Sequence, residues 1–392
     1  MKKYLIILLT CFFTGGIIFF AIPKKQGVSP IAWEKFSVIS LESQPVQKKT
    51  WLAYTPLKFF IHKQSTQAGE QSLSAKQNLL SKTKQLTNTS LKYVIPNEIE
   101  SLETDEQGHY IFKGNQENNI RPPAQTVMAL SIMLALDTVE PETIGKNKEE
   151  LQTIEKKLIA SLANTHIVND GDWGECWQCA HWSFFTGFGA WLMWEDLPPE
   201  TQTDVQKIIV FEADRFLTTP RYCDDCTDDS KAEENAWNAN ILALAAAMMP
   251  YHPHTEAWKE KNSEWMLAAF AKQSDTTSRK KIDGKRLKNW LSGWNIREEG
   301  YLYNHNRVHP DYMASALMNL WNPIVFFLAG KDMPEAAFWN MNLIYNNLEN
   351  HTWDSPPYDA PGGTIYQPDK ATVYYPQGTD WSIQSIDNFF MF

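Results

Sequence analysis

Residues 305–312 bring together, within eight positions, the side-chain types that proteins use most often to move protons. The stretch contains His305, Arg307, His309, Asp311 and Tyr312. Because Pro310 suits a first helical turn, His309 lies near the predicted N-cap, and Asp311 alone can satisfy the preference for negative charge there. The same helix end keeps a nearby histidine neutral and lowers the cost of ionising a tyrosine. Part of the stretch therefore caps a helix, and the rest has the properties of a proton-abstracting site.

A second polar group lies on a predicted helix in the middle of the chain. Ser230 and Glu233 have the spacing of a capping box, so we predict a structural role for Glu233. Glu234, Asn235 and Asn238 share one face of this helix, which is otherwise strongly apolar. Carboxamides on a buried helix need partners, which are either groups on neighbouring helices or a bound substrate. The first alternative predicts a hydrogen-bonded network, and the second predicts a cleft wall that binds substrate.

Aromatic residues are abundant, with sixteen tryptophans, fourteen tyrosines and twenty phenylalanines in 392 residues. Such rings either fill cores or line clefts as flat platforms. Trp173, Trp177 and Trp182 lie among glycine, acidic and histidine residues in a segment that is typical of a loop. An aromatic face beside polar groups suits a sugar ring, whose C–H face is apolar and whose rim is hydroxylated. We therefore predict that these tryptophans bind carbohydrate, with core packing as the alternative.

Eliminative cleavage of a uronate-containing polysaccharide needs three kinds of group that these segments contain. The proton beside the uronate carboxylate becomes acidic only when an amide or a cation offsets the carboxylate charge. A base then removes that proton, and an acid protonates the departing glycosidic oxygen. Asn235 or Arg307 can offset the charge. His305 or His309 can act as the base, and Tyr312 can act as base, acid or both.

The segments ENAWNANILALA and EEGYLYNHNRVHPDY resemble the α/α-toroid polysaccharide lyases, the chondroitin, hyaluronate and heparinase-like group. In that group an asparagine on an inner helix cooperates with a histidine and a tyrosine from a later segment. The resemblance covers residues 160–390 and implies that Asn235 neutralises the substrate carboxylate. It also implies that His305 or His309 is the histidine and that Tyr312 is the tyrosine. An acidic polysaccharide or oligosaccharide is the implied partner.

Two other functions fit the same residues. A toroid glycoside hydrolase uses two carboxylates that flank the scissile bond. The candidates for that pair are Asp172, Glu175, Glu234, Asp311 and Asp380. We also expect Glu234, Asn238, Asp380 and Trp381 to contact the substrate in the lyase. The second alternative is a non-catalytic protein that binds glycans or assembles envelope polysaccharide, and it would use the aromatic cleft without needing the histidines or Tyr312.

Apolar segments with helical spacing dominate the chain after residue 123. They cover residues 124–137, 148–164, 181–195, 200–217, 230–249, 254–272, 310–329 and 333–349. Loops rich in glycine, proline and aspartate separate them, which predicts an all-α body of helical hairpins. The preferred architecture is an α/α toroid, an incomplete (α/α)6-type barrel over residues 121–392. A simple bundle and a solenoid are the alternatives, and the turn-rich segment 351–392 is expected to form short strands or a lid.

The N-terminal residues 1–25 have the features of a signal anchor. Residues 4–22 contain no charge and are about as long as a membrane-spanning helix. We predict an uncleaved transmembrane anchor with the body outside the cytoplasm, and a cleaved signal with a secreted body as the second possibility. Residues 26–120 are polar and predict a stalk with one helix at about residues 73–92.

Four cysteines form two pairs with the same spacing, Cys176 with Cys179 and Cys223 with Cys226. In an oxidising compartment we expect disulfides, whereas in the cytoplasm the same four thiolates would suit a structural zinc ion. Either arrangement predicts that the loops over residues 172–182 and 221–229 are fastened together.

The charge distribution excludes one class of partner. The net charge is −10, and the sequence has no long basic stripe to neutralise a phosphate backbone. Nucleophile-elbow, phosphate-loop, dinucleotide and HExxH patterns are missing as well. We therefore expect no nucleic-acid partner and no cofactor apart from the possible structural zinc.

Overall fold

The structure is a computed structural model, and it describes residues 70–221, 228–367 and 372–380. The described chain is almost entirely helical, which confirms the prediction of an all-α protein. The helices are α1 Glu70–Val94, α2 Glu117–Ala135, α3 Pro141–Ile144, α4 Lys148–Asn164, α5 Cys179–Leu192, α6 Pro199–Thr218, α7 Ala232–Met248, α8 Thr255–Ala269, α9 Leu287–Trp290, α10 Pro310–Ala314, α11 Trp321–Leu328 and α12 Met341–Asn350. The predicted signal anchor, Cys223, Cys226 and Trp381 lie outside the described residues.

Some helical boundaries follow the sequence pattern and others do not: the predicted helix 310–329 is divided into α10 and α11, and α12 begins later than predicted. Helix α4 occupies the predicted residues because Asn147 and Glu150 form a reciprocal capping box, with bonds of 2.9 and 2.7 Å. Helix α2 begins seven residues before its predicted start. The amide of Ile120 donates to the carbonyl of Gln116, so the first turn forms ahead of Pro122 and Pro123.

The helices pack around one apolar core. Helices α2, α5, α7 and α11 contact one another in sequence order, and α4, α6 and α8 each pack against members of this set. Helix α7 is buried along almost its whole length and contacts α5, α6, α8 and α11. The approach of α5 to α2 depends on Gly189, where an added Cβ would lie 2.6 Å from the Val127 side chain.

The segment predicted as a stalk contributes to this core. Leu91, Ile95 and Tyr110 are buried in the same cluster as the later helices. The Asn88 side chain donates to the Thr138 carbonyl at 3.2 Å and accepts from the amide of residue 140 at 2.8 Å. The packed body therefore includes residues upstream of the predicted boundary at 121.

Strands are short in the described chain. Lys281–Ile282 pairs with Lys285–Arg286 as β1 and β2, and Tyr303–Asn304 pairs with Arg307–Val308 as β3 and β4, both antiparallel. Within the described parts of the turn-rich C-terminal segment, the strand-like pairing consists of isolated bridges.

A disulfide joins Cys176 to Cys179 at the start of α5, with a Cα–Cα distance of 4.9 Å. The prediction of a disulfide is confirmed for this pair. The expected tie between the two cysteine loops is not made by these residues, because the spacing of three at a helix start brings them within bonding distance of each other. Because the sulfur atoms of Cys176 and Cys179 are bonded to each other, neither is a thiolate that could bind zinc.

In the part of the chain that the structure describes, no helix combines the length and apolar character that a bilayer crossing requires.

Candidate active site

The hairpin of β3 and β4 places one histidine at its tip. The connecting residues His305 and Asn306 have φ angles of 51° and 60°. A two-residue loop with two positive φ angles matches the twist of the flanking strands. Asparagine and histidine tolerate this region better than most residues, although glycine would be strain-free. The turn therefore exposes the imidazole of His305 away from the strands.

Main-chain bonds fasten this hairpin to the segment that leads into α7. The Ser230 amide donates to the Tyr303 carbonyl at 2.8 Å, and the Asn304 side chain donates to the Ser230 carbonyl at 2.7 Å. The Asn306 amide donates to the Asp228 carbonyl at 3.2 Å. The N-terminal turn of α7 and its acidic side chains consequently lie beside the hairpin tip.

Four side chains meet at the hairpin, and we call them the His–Asp–Tyr cluster: His305, His309, Tyr312 and Asp380. The Asp380 carboxylate lies 2.6 Å from His305 Nδ1 and 3.4 Å from His309 Nε2. The Tyr312 hydroxyl lies 3.3 Å from His305 Nε2. One carboxylate thus bridges two imidazoles, and His305 links that carboxylate to the phenol.

The C-terminal segment 372–380 delivers Asp380 and supports its neighbours. The Tyr375 hydroxyl donates to Asp311 at 3.2 Å, and the other oxygen of Asp311 lies 3.6 Å from His309 Nδ1. The Gln377 side chain accepts a 2.6 Å bond from the Val308 amide. The Asp311 carboxylate therefore lies beside the imidazole of His309, a placement that its helix-end position did not reveal.

The surroundings lower the pKa of two members of the cluster, His309 and Asp380. Burial, together with the charges of His305 and Arg307, lowers the pKa of His309 to about 4 despite the opposing Asp380 carboxylate. His309 is therefore neutral at pH 7, as predicted. Burial acts to raise the pKa of Asp380, but the hydrogen bond and charge of His305 and the charge of Arg307 outweigh it, so the pKa lies below its usual value.

The pKa of Tyr312 is raised, whereas the sequence predicted that a helix end would make the phenol easier to ionise. Burial raises the pKa of this phenol, and the carboxylates of Glu233, Glu234, Asp229 and Asp380 raise it further. Burial and these nearby carboxyl groups outweigh the partial positive charge of a short helix. Tyr312 is thus a protonated hydrogen-bond donor at neutral pH.

Glu233 is a site residue that sequence analysis assigned to capping. Helix α7 begins at Ala232, and the Ser230 hydroxyl accepts from the Ala232 amide at 3.1 Å, so Glu233 does not occupy the capping-box position. Burial and the charge of Glu234 raise the pKa of Glu233 to about 8, with Arg121 opposing. A carboxyl that keeps its proton near neutrality is a group that can act as a general acid.

The neighbouring polar residues of α7 lie deeper. Glu234 is buried, pairs with Lys231 at 3.4 Å, and has a pKa raised by burial. Asn235 and Asn238 are both 0% exposed. Neither amide atom of the Asn238 side chain has a hydrogen-bond partner within the described part of the chain. A substrate would reach these carboxamides only after the surrounding residues moved apart.

Of the three predicted sugar platforms, one lies at the surface. Trp177 is 53% exposed and packs edge-on against Trp237 at 5.0 Å. Trp173 and Trp182 are core residues, a correction to their predicted role, because both are almost fully buried and pack against each other at 6.4 Å. The Trp173 ring nitrogen also donates to the Leu162 carbonyl at 3.0 Å.

The remaining predicted residues divide between the cluster and other places. Arg307 is half-buried, and its Nε donates to the His305 carbonyl at 3.4 Å. Asp172 lines a separate groove together with Asp105, and the Glu175 amide donates to the buried Glu212 carboxylate at 2.8 Å.

One group of metal-ligating side chains stands out in the described ranges. His305, His309 and Asp380 each offer one donor atom, and these three atoms lie within 4.8 Å of one another.

Comparisons with protein-family models, curated proteins and solved structures find no match to this chain.

Proposed function

We propose that this protein is a carbohydrate-active enzyme that cleaves a uronate-containing polysaccharide by β-elimination. The observation that supports it most strongly is the unbroken chain of contacts from Asp380 through His305 to Tyr312, at 2.6 and 3.3 Å. A carboxylate, an imidazole and a phenol in this order form a proton relay that opens towards solvent.

The relay assigns a direction to each proton. Asp380 accepts from the Nδ1–H of His305, which leaves Nε2 as the basic nitrogen. His305 removes the proton beside the uronate carboxylate, and Tyr312 gives its proton to the glycosidic oxygen as the C–O bond breaks and the C=C bond forms. The proton on His305 then returns to the Tyr312 oxygen across 3.3 Å. Protons gained and lost by the enzyme therefore balance in each turnover.

The substrate carboxylate needs a partner of opposite charge. Arg307 is half-buried beside His305, so it is the first candidate for this role. Asn235, the residue implied by the resemblance to polysaccharide lyases, is fully buried and would require an opening of the cleft wall.

The packing supports the finer architecture that accompanies this function. Helices α2, α5, α7 and α11 alternate along the chain with helices α4, α6 and α8. We include an incomplete α/α toroid in the proposal on that basis. The disulfide between Cys176 and Cys179 favours a body that faces an oxidising compartment, held by the predicted N-terminal anchor or secreted.

Glycoside hydrolysis is the second candidate, and Glu233 favours it. Its pKa of about 8 suits a general acid, and the carboxylates of Glu234 and Asp311 act on it from nearby. In this alternative the cluster would position the sugar rather than abstract a proton. A binding protein without catalysis is the third candidate, supported by the exposed ring of Trp177.

Incubation with uronate-containing glycans tests the proposal directly. We expect ultraviolet absorbance from the new C=C bond, and about a hundredfold slower appearance in Tyr312→Phe, in line with the loss of one acid–base group. Tyr251→Phe, at a tyrosine that is 66% exposed, is the matched control and should leave the rate unchanged. Reducing ends without absorbance would favour hydrolysis, and full activity in Tyr312→Phe would remove the relay from the mechanism.

A further inference from the structure

We propose that His305, His309 and Asp380 bind a divalent transition-metal ion of the zinc class. The binding itself does not depend on the proposed elimination. Its consequence for turnover rests on that proposed function and is tested separately below.

The three donor atoms have the types and spacing of a zinc site. Zinc bonds to imidazole nitrogen and carboxylate oxygen are about 2.0–2.2 Å long, so two donors on one tetrahedral ion lie about 3.3 Å apart. The Asp380 carboxylate lies 2.6 Å from His305 Nδ1 and 3.4 Å from His309 Nε2. Small rotations of these side chains would admit the ion. Two imidazoles and one carboxylate leave a fourth position open, as in zinc sites that bind water or substrate.

The second nitrogen of each histidine faces an oxygen atom, which is the placement found around metal-ligating histidines. His309 Nδ1 faces the Asp311 carboxylate at 3.6 Å, and Tyr375 holds the other oxygen of Asp311 at 3.2 Å. His305 Nε2 faces the Tyr312 hydroxyl at 3.3 Å. A carboxylate or another oxygen on the far nitrogen fixes the ring orientation and makes the ligating nitrogen more basic. A surface histidine–aspartate pair has no need of this second layer of contacts.

The surroundings also favour a cation. The carboxylates of Asp229, Glu234 and Asp380 all act on Tyr312, which lies against His305. Lys231 is engaged with Asp229 at 2.8 Å and with Glu234 at 3.4 Å. A divalent ion would offset this excess of negative charge. The side chains of His305 and Asp380 are 38% and 35% exposed, which provides an entry path.

Metal binding would change what His305 can do. An imidazole that ligates through Nδ1 holds its proton on Nε2. That Nε2 donates to the Tyr312 oxygen and cannot accept a proton. The loaded cluster therefore lacks the proton relay of the unloaded cluster. If elimination is the function, zinc inhibits it reversibly.

Calorimetric titration of the full chain with zinc chloride, after removal of metal by a chelator, tests the binding. We expect one ion per chain at a site that His309→Ala and Asp380→Asn each weaken at least about tenfold, and that Asp311→Asn weakens about tenfold through His309. His254→Ala is the matched control, because His254 also pairs with an aspartate, Asp214, at 2.8 Å. Circular dichroism verifies that each variant is folded.

Equal zinc affinity in folded His309→Ala, Asp380→Asn and wild-type protein would overturn the proposal, since the ion would then bind elsewhere. A Cys223→Ser, Cys226→Ser double variant that retains the site supports it. Ultraviolet assays separate the two hypotheses. Zinc binding without elimination on any uronate glycan refutes the proposed function alone, and elimination by a chain that does not bind zinc refutes the metal site alone.

Discussion

Two surface regions contain the same pair of residue types in different settings. His305 Nδ1 meets Asp380 at 2.6 Å, and His254 Nδ1 meets Asp214 at 2.8 Å. In the second region the same oxygen of Asp214 also accepts from the Trp258 ring nitrogen at 2.8 Å. That carboxylate therefore has a clear structural task, which is to hold an aromatic side chain of α8.

The His305 region differs in what surrounds the pair. Its carboxylate reaches a second imidazole, that of buried His309, and its first imidazole reaches the Tyr312 phenol. No such phenol contact is described for His254. A histidine beside an aspartate is thus weak evidence for chemistry, and the shared carboxylate and the connected phenol are what distinguish the candidate site.

The strongest test of the difference between the two regions is to replace Asp380 and Asp214, one at a time, with asparagine. We expect Asp380→Asn to lower the elimination rate by about 10²–10⁴-fold, because His305 would lose the partner that fixes its tautomer. Asp214→Asn should change the rate less than about twofold, since its contacts are structural. The measurement is the initial rate of ultraviolet absorbance on a uronate glycan. Equal changes of the elimination rate in the two variants would show that the two histidine–aspartate pairs do not differ in function.

Removal of a histidine from each region compares their contributions to stability. His309 is buried, so His309→Ala should lower the free energy of unfolding by about 3 kcal/mol through a cavity and an unpaired carboxylate. His254 is largely exposed, and His254→Ala should cost less than about 0.5 kcal/mol. Urea denaturation at pH 7 measures both values. A small effect at His309 would mean that the cluster adds little to the fold.

The raised pKa of Glu233 predicts that the free energy of unfolding depends on pH. The folded pKa of Glu233 is about 8, above its usual value of 4.5, so its favourable contribution is complete below the lower value and is lost as pH rises through the upper one. Each tenfold change in proton affinity is worth about 1.4 kcal/mol. Because solvent reaches this partly exposed side chain, we expect a loss of about 2 kcal/mol between pH 5 and 8.

Comparison with Glu233→Gln isolates that effect from other titrating groups. The variant should show a flatter stability profile over the same pH range. Glu256→Gln, at an exposed position of α8 near the His254 region, should retain the wild-type slope. Identical slopes in wild type and Glu233→Gln would contradict the elevated pKa.

The smallest expected effect concerns the turn that presents His305. Asn306 has a φ of 60°, a conformation that alanine tolerates less well than asparagine or glycine. Asn306→Ala should cost about 1 kcal/mol in unfolding free energy, and Asn306→Gly should stay within about 0.5 kcal/mol of wild type. Thermal or urea unfolding distinguishes them, and equal stability would show that the turn is not strained.

The helices were predictable because their signals are local. The apolar spacing and the capping pair of Asn147 and Glu150 define α4 without reference to any other element. The role of Glu233 was not predictable in the same way, because the capping box depends on which residue starts the helix. A shift of one residue turned a proposed cap into a carboxyl group that lies near Tyr312.

The site was predictable only where its members are near one another in sequence. His305, His309 and Tyr312 lie within one short stretch, and the sequence indicated their grouping. Asp380 is 75 residues from His305, and its bridging contact depends on how the C-terminal segment crosses the hairpin. The raised pKa of Tyr312 follows from burial and from carboxylates that the fold brings in from two segments, residues 229–234 and the C-terminal segment, so no local pattern could reveal it.

The late position of Asp380 has a consequence for the timing of biosynthesis. During translation the histidines and the phenol emerge well before the carboxylate that connects them, and domains generally fold as their residues leave the ribosome. The nascent body can therefore pack its helices while the reactive group is still incomplete. The proposed proton relay would be complete only when the segment from Tyr375 to Asp380 has docked.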